Sequence, residues 1–88
     1  MTLNERILLF SSLGDIVKNI SGDSFDNIVH QAKLVNPWFT HEHVKNSFSS
    51  LSKLLNEDNL RNWILKYNFN NIEVKDILII MAGNIPMV

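Results

Sequence analysis

His41-Glu42-His43 is the first cluster along the chain whose residue types could do chemistry, because imidazole and carboxylate side chains together can bind a transition metal. On a helix, however, positions two apart point in divergent directions, whereas a helical zinc pair needs a spacing of four. The spacing therefore predicts solvated first-turn residues and no metal site. Trp38, Trp63 and Tyr67 could form an aromatic platform for a ligand, but their helical or helix-flanking positions predict core packing instead. His30 lies beside an apolar stripe and is expected to be partly exposed. Asn19-Ile20-Ser21 fits the N-glycosylation pattern, yet Met1 to Arg6 lacks the charged-then-apolar layout of a secretory signal, so the match is read as chance. There is no cysteine, which excludes disulfides, thiolate metal sites and a cysteine nucleophile within these residues.

Composition narrows the field further. The 88 residues make one small domain at most, with little margin for a core. A hydrophobic share of 45% with 19% charged residues suits a globular chain and argues against disorder. Net charge is −1 and the eight Lys and Arg residues are scattered, so the clustered cations that sequence-independent nucleic-acid binding requires are not present. The longest apolar run, Ile77 to Ala82, is far short of a membrane span. A cytoplasmic location is the resulting expectation.

The elements that would position these residues follow from periodicity and caps. Thr2-Leu3-Asn4-Glu5 has the spacing of a capping box, in which the Thr hydroxyl accepts from the third N–H while Glu5 reaches back. Leu3, Ile7, Phe10, Leu13, Ile16, Val17 and Ile20 then share a helical face, and Gly22 supplies a left-handed stop, predicting a helix from about Leu3 to Ile20. Asp23 or Ser24 can cap a second helix with Phe25, Ile28, Val29, Ala32 and Val35 inside, ended by Asn36-Pro37. Thr40 caps a third, with Phe39 and Val44 placed as a hydrophobic staple and Val44, Phe48, Leu51, Leu54 and Leu55 as its buried face. Asn56 caps a fourth, with Glu57 and Asp58 favourably in its first turn and Leu60, Trp63, Ile64 and Tyr67 as its stripe.

After the loop Asn68-Phe69-Asn70-Asn71 the period changes. Ile77-Leu78-Ile79-Ile80-Met81-Ala82 is rich in isoleucine and lacks polar alternation, which predicts a strand buried on both faces, as in a parallel sheet covered by helices. The alternative is the end of a fifth helix in a small bundle. No second convincing strand is available to satisfy the backbone, so Ile77 to Val88 reads as a strand and turn belonging to a larger protein.

Two stretches together resemble a known family. Asn36-Pro37-Trp38-Phe39-Thr40, followed by a helix and the Leu60 to Tyr67 segment, is similar to the N-terminal region of bacterial acyl-CoA reductases, which supply long-chain aldehyde to luciferase, and of their relatives in non-luminous bacteria. Ile79-Ile80-Met81-Ala82-Gly83-Asn84-Ile85-Pro86-Met87-Val88 resembles that family's first cofactor-domain strand and the turn after it. The family is similar in turn to the aldehyde dehydrogenase superfamily, whose equivalent turn reads Pro-Trp-Asn-Phe-Pro. By that comparison Asn84 matches an asparagine whose amide stabilises an oxyanion, and Gly83, Ile85 and Pro86 fall at the cofactor turn. A neutral amide donor can stabilise developing negative charge without titrating, and Gly83 allows close backbone approach. This sequence departs from the broader motif at Ala82 and Gly83, which replace Pro and Trp.

The fold expectation is therefore mainly α: four short helices over residues 1–75, then at 76–88 one apolar strand and turn that would open an α/β cofactor-binding domain in a longer chain. The resemblance implies a complete enzyme that takes the acyl group from CoA onto a cysteine and reduces it to aldehyde with NADPH. This chain alone is expected to bind no cofactor and to be inactive. Its expected partner is the remainder of a parent enzyme or a twin chain, engaged through Ile77–Met81. The alternative function is a small helical interaction module that buries its C-terminal apolar segment in a dimer or partner.

Overall fold

A computed structural model describes residues 1–82 and is mainly helical, with α1 (Leu3–Asn19), α2 (Gly22–Val35), α3 (His41–Leu54) and α4 (Glu57–Ile64) in order. Each start has a local cause. At α1 the capping box is complete: the Glu5 N–H donates to Thr2 Oγ1 at 3.2 Å and the Thr2 N–H donates to Glu5 Oε2 at 2.6 Å. At α3 the His43 N–H donates to Thr40 Oγ1 at 3.2 Å, and at α4 the Asp58 N–H donates to Asn56 Oδ1 at 3.0 Å. The start of α2 differs from expectation. It begins at Gly22, after Ser21, whose side chain makes no capping bond, rather than at Asp23 or Ser24. Gly22 has φ +64, the left-handed conformation expected there, and it separates α1 from α2.

α1 packs against both α3 and α4, and α3 also meets α4. The core is thin. Val17 of α1, Phe25 and Val29 of α2, and Val44 and Phe48 of α3 form one buried cluster, with Ile20, Ala32, Phe39 and Leu51 against it. Val44 is the most deeply buried of them at 2% exposure, and Phe39, the other residue of the expected staple, packs against the same cluster. Phe25 and Phe48 meet edge to face at 5.4 Å between centroids.

The face of α1 that turns inward is not quite the one expected. Ile7, Gly14 and Val17 are buried, while Leu13 and Ile16 are exposed together with Leu9. The reason is Gly14: a Cβ there would stand 2.8 Å from Leu55 Cβ, so the missing side chain lets the end of α3 settle onto α1 at that point. Leu55 thus lies over Gly14, while Leu13 and Ile16 stay exposed. Ile28, Val35 and Leu54, also expected inside, are exposed because no further layer among the described residues covers the outer sides of α2 and α3.

Beyond α4 the chain turns through residues 65–71, with Asn71 at φ 59, and then runs from Glu73 to Ala82 without helix, turn or bend. No fifth helix forms there. Ile77 to Met81 are 60–89% exposed, and the strand expected over them finds no neighbouring strand among the described residues. The radius of gyration of 15.8 Å exceeds the roughly 12 Å of a compact chain this long, because the segment stands away from the helices.

Candidate functional site

Asn84, Gly83, Ile85 and Pro86, the residues that the resemblance places at an oxyanion and cofactor turn, lie outside the described residues. What the structure does place is the connector that carries the other half of the resemblance. Asn36 Oδ1 accepts from the Trp38 N–H at 3.0 Å and its carbonyl accepts from the Phe39 N–H at 2.9 Å, closing a tight turn around Pro37. Thr40 then caps α3, and His43 Nδ1 lies 3.2 Å from the Trp38 carbonyl. Asn36-Pro37-Trp38-Phe39-Thr40 is thus a structural unit: it stops α2, turns the chain and starts α3. Trp38 itself is 80% exposed, contrary to the core position expected for it, since the turn is held through its backbone N–H and carbonyl and makes no use of the indole.

The two histidines of His41-Glu42-His43 serve different neighbours. His43 faces the connector, whereas His41 packs edge to face on Phe25 at 5.3 Å and lies 3.7 Å from Asp26, in a surroundings open to solvent. Among the described residues no three His, Asp or Glu side chains converge on a point. His41 belongs to the rim of an open groove of about 810 Å³ between the end of α1, the start of α2 and the length of α3. Lys18, Lys45 and Lys53 share that lining with Asp15 and Asp26, so the groove carries charges of both signs.

A second groove has a different character. It lies between α1 and α4 and spans about 490 Å³, with Leu3, Phe10, Leu60 and Ile64 in its walls and Arg6 the only charged residue lining it among the described residues. Its outer wall is aromatic: Trp63 and Tyr67 meet edge to face at 6.0 Å, and Tyr67 and Phe69 do so at 6.4 Å. Trp63, Tyr67 and Phe69 are 60%, 57% and 42% exposed, so the core packing expected of Trp63 and Tyr67 is not what they do. Nothing among the described residues covers them, and they form an open apolar wall. Phe69 and Ile72, which follow the helix, extend that wall and carry no helical period by which to find them.

Polar bonds beside the groove join its two helices. Arg61 donates from Nε to Glu57 Oε1 at 2.8 Å, one helical turn back, and from Nη2 to Asn4 Oδ1 at 2.7 Å across to α1. This clamp fixes the distance between the helices that form the walls. Arg6 donates to the Met1 carbonyl at 3.2 Å and has no carboxylate partner among the described residues. Such an arrangement, with apolar walls of ligand-pocket size and a single cation, can take up an apolar segment. Among the described residues no helix is long and apolar enough to cross a membrane. No protein-family model, curated protein or solved structure matches the chain.

Proposed function

We propose that these residues are the N-terminal portion of an NADPH-dependent acyl-CoA reductase acting in the cytoplasm, with Ile77–Met81 as the first strand of its cofactor-binding sheet. The observation that carries this reading is the state of Ile77–Met81, an apolar run without helix or turn that no described residue covers. A run with two apolar faces is stable only with neighbouring strands and a covering layer. The exposed stripe Leu9, Leu13 and Ile16 on α1 supports the same reading, because it offers the helical unit a face with which to pack on such a domain. The resemblance around Asn36–Thr40 and Ala82–Pro86 supplies the chemistry. In that chemistry a cysteine elsewhere in the longer protein accepts the acyl group, CoA leaves as its thiol, and the Asn84 amide donates a hydrogen bond to the oxyanion.

The described residues offer no dinucleotide site, so no step through NADPH is assigned to them. The test compares the 88-residue chain with a version extended through the remaining sheet, each given a long-chain acyl-CoA and NADPH. The extended protein is expected to form a thioester and release aldehyde, and the short chain to do neither. Asn84→Ala in the extended protein should slow acylation by about 10²–10³-fold. An extended protein that forms no thioester and releases no aldehyde overturns this reading.

A second reading is favoured by the α1/α4 groove: a helical interaction module whose apolar tail and apolar groove are both surfaces for association. Its first test is whether the 88-residue chain associates at all, measured by light scattering. A monomer whose tail stays unprotected at every concentration overturns it.

A further inference from the structure

Resting on that second reading, we propose that the α1/α4 groove receives the Ile77–Met81 segment of a second copy, so that two chains exchange tails in a reciprocal dimer. From Ile77 to Met81 an extended chain covers about 14 Å, so it would run past both ends of the α1 wall, which spans about 10 Å from Leu3 to Phe10. Extended residues alternate, so Ile77, Ile79 and Met81 enter together while Leu78 and Ile80 face away from the groove.

The chain's own segment does not fill its own groove. It leaves from Ile72 at the groove edge and runs to Ala82 without a turn or bend that would bring it back. A second copy brings the same segment from outside with no reversal required. The charges agree as well. Arg6 is the one charged residue lining the groove and lacks a carboxylate partner among the described residues, while Glu73 and Asp76 stand just ahead of the apolar run. An incoming segment seated from Ile77 onward carries Asp76 to the cation.

The area suffices too. Trp63, Tyr67 and Phe69, each worth about 150–250 Å² when fully exposed, offer roughly 300 Å² per groove at their actual exposures, and the three inward tail residues add a similar area. With two grooves and two tails the exchange reaches the low end of a standard interface, about 1,200 Å² in total. The symmetry is closed, since each copy presents the same groove and the same tail.

Two variants at exposed positions separate the alternatives. Trp63→Lys disables the groove and Ile79→Asp disables the tail, with helicity by circular dichroism as the check that both remain folded. The wild-type chain is expected to sediment as a dimer and each variant alone as a monomer. The 1:1 mixture is expected to associate, because the intact tail of one meets the intact groove of the other. Arg6→Gln should weaken the wild-type dimer by no more than about fivefold, the scale of an exposed ion pair. A dimer that survives Trp63→Lys but not Ile79→Asp overturns the exchange in favour of tails pairing edge to edge, and leaves the module reading standing. A monomer with a tail protected from hydrogen exchange overturns it in favour of fold-back. A monomer with an unprotected tail overturns both the exchange and the module.

Discussion

Gly14 of α1 faces Leu55, the residue after α3, so closely that a methyl group at Gly14 would stand 2.8 Å from Leu55 Cβ and 3.4 Å from its carbonyl carbon. Two effects oppose each other in Gly14→Ala. Alanine improves the helix by about 1 kcal/mol. Overpacking costs about 1–3 kcal/mol when the neighbour is a Cβ and backbone rather than a flexible tip. The clash should prevail, leaving a net loss of up to about 2 kcal/mol, read as a lower urea midpoint with an unchanged slope. Leu55→Ala keeps the offending Cβ and should give no relief in the double variant, whereas Leu55→Gly should restore part of the loss.

Phe48 joins α2 and α3 through its edge-to-face contact with Phe25, and the core around it holds few other large side chains. Phe48→Ala should cost about 3–5 kcal/mol. A domain this small has stability near the low end of the usual range of about 5–15 kcal/mol. The variant should therefore lose its cooperative thermal transition, which calorimetry would show directly. A sharp transition within a few degrees of wild type would mean the cluster is not the core.

The contrast between caps and faces explains what could be read in advance. Thr2, Thr40 and Asn56 work within one helical turn of themselves, so their roles follow from local spacing, and Asn36-Pro37 ends α2 for the same reason. Burial depends on what lies opposite. Leu13, Ile16 and Val35 have the period of inward residues, but Gly14 sets how α1 meets α3, and no layer among the described residues covers the outside of α2. The stripe Leu60, Trp63, Ile64 and Tyr67 was legible as one face of α4. That its aromatic members would stand open as a groove wall was not, because periodicity says which residues share a face and nothing about whether that face is covered.

Arg61 holds the groove through Asn4 and Glu57, all at part-exposed or exposed positions. Its removal should change the groove more than the fold. Arg61→Gln is expected to lower stability by less than about 1 kcal/mol, as solvent screens the Glu57 pair. The clamp to α1 is lost, however, and Trp63, two residues further along α4 in the wall that the clamp ties to α1, should show a shifted emission maximum and faster quenching by acrylamide. An emission spectrum and quenching identical to wild type would mean the wall is fixed by apolar packing alone. Trp38→Phe in the background removes the second indole, so that the signal reports on Trp63 only.

The capping box at Thr2 makes the start of α1 sensitive to acid. The backbone and side chain of Thr2 both bond Glu5, and this holds its carboxyl below the ordinary value of 4.5. Because the folded form has the lower value, the contribution of Glu5 is fully present above that ordinary value and is lost as pH falls through the folded one. Helicity at the α1 start should therefore decline only in the acid range below 4.5 and stay flat from there to neutrality. Glu5→Gln should flatten the acid limb, since a neutral amide can still accept from the Thr2 N–H without titrating. Thr2→Ala removes the reciprocal bond from the Glu5 N–H and should lower helicity at every pH. Backbone amide shifts of Thr2 and Glu5 followed by NMR would resolve the two effects. An acid limb that persists unchanged in Glu5→Gln would assign it to another carboxylate.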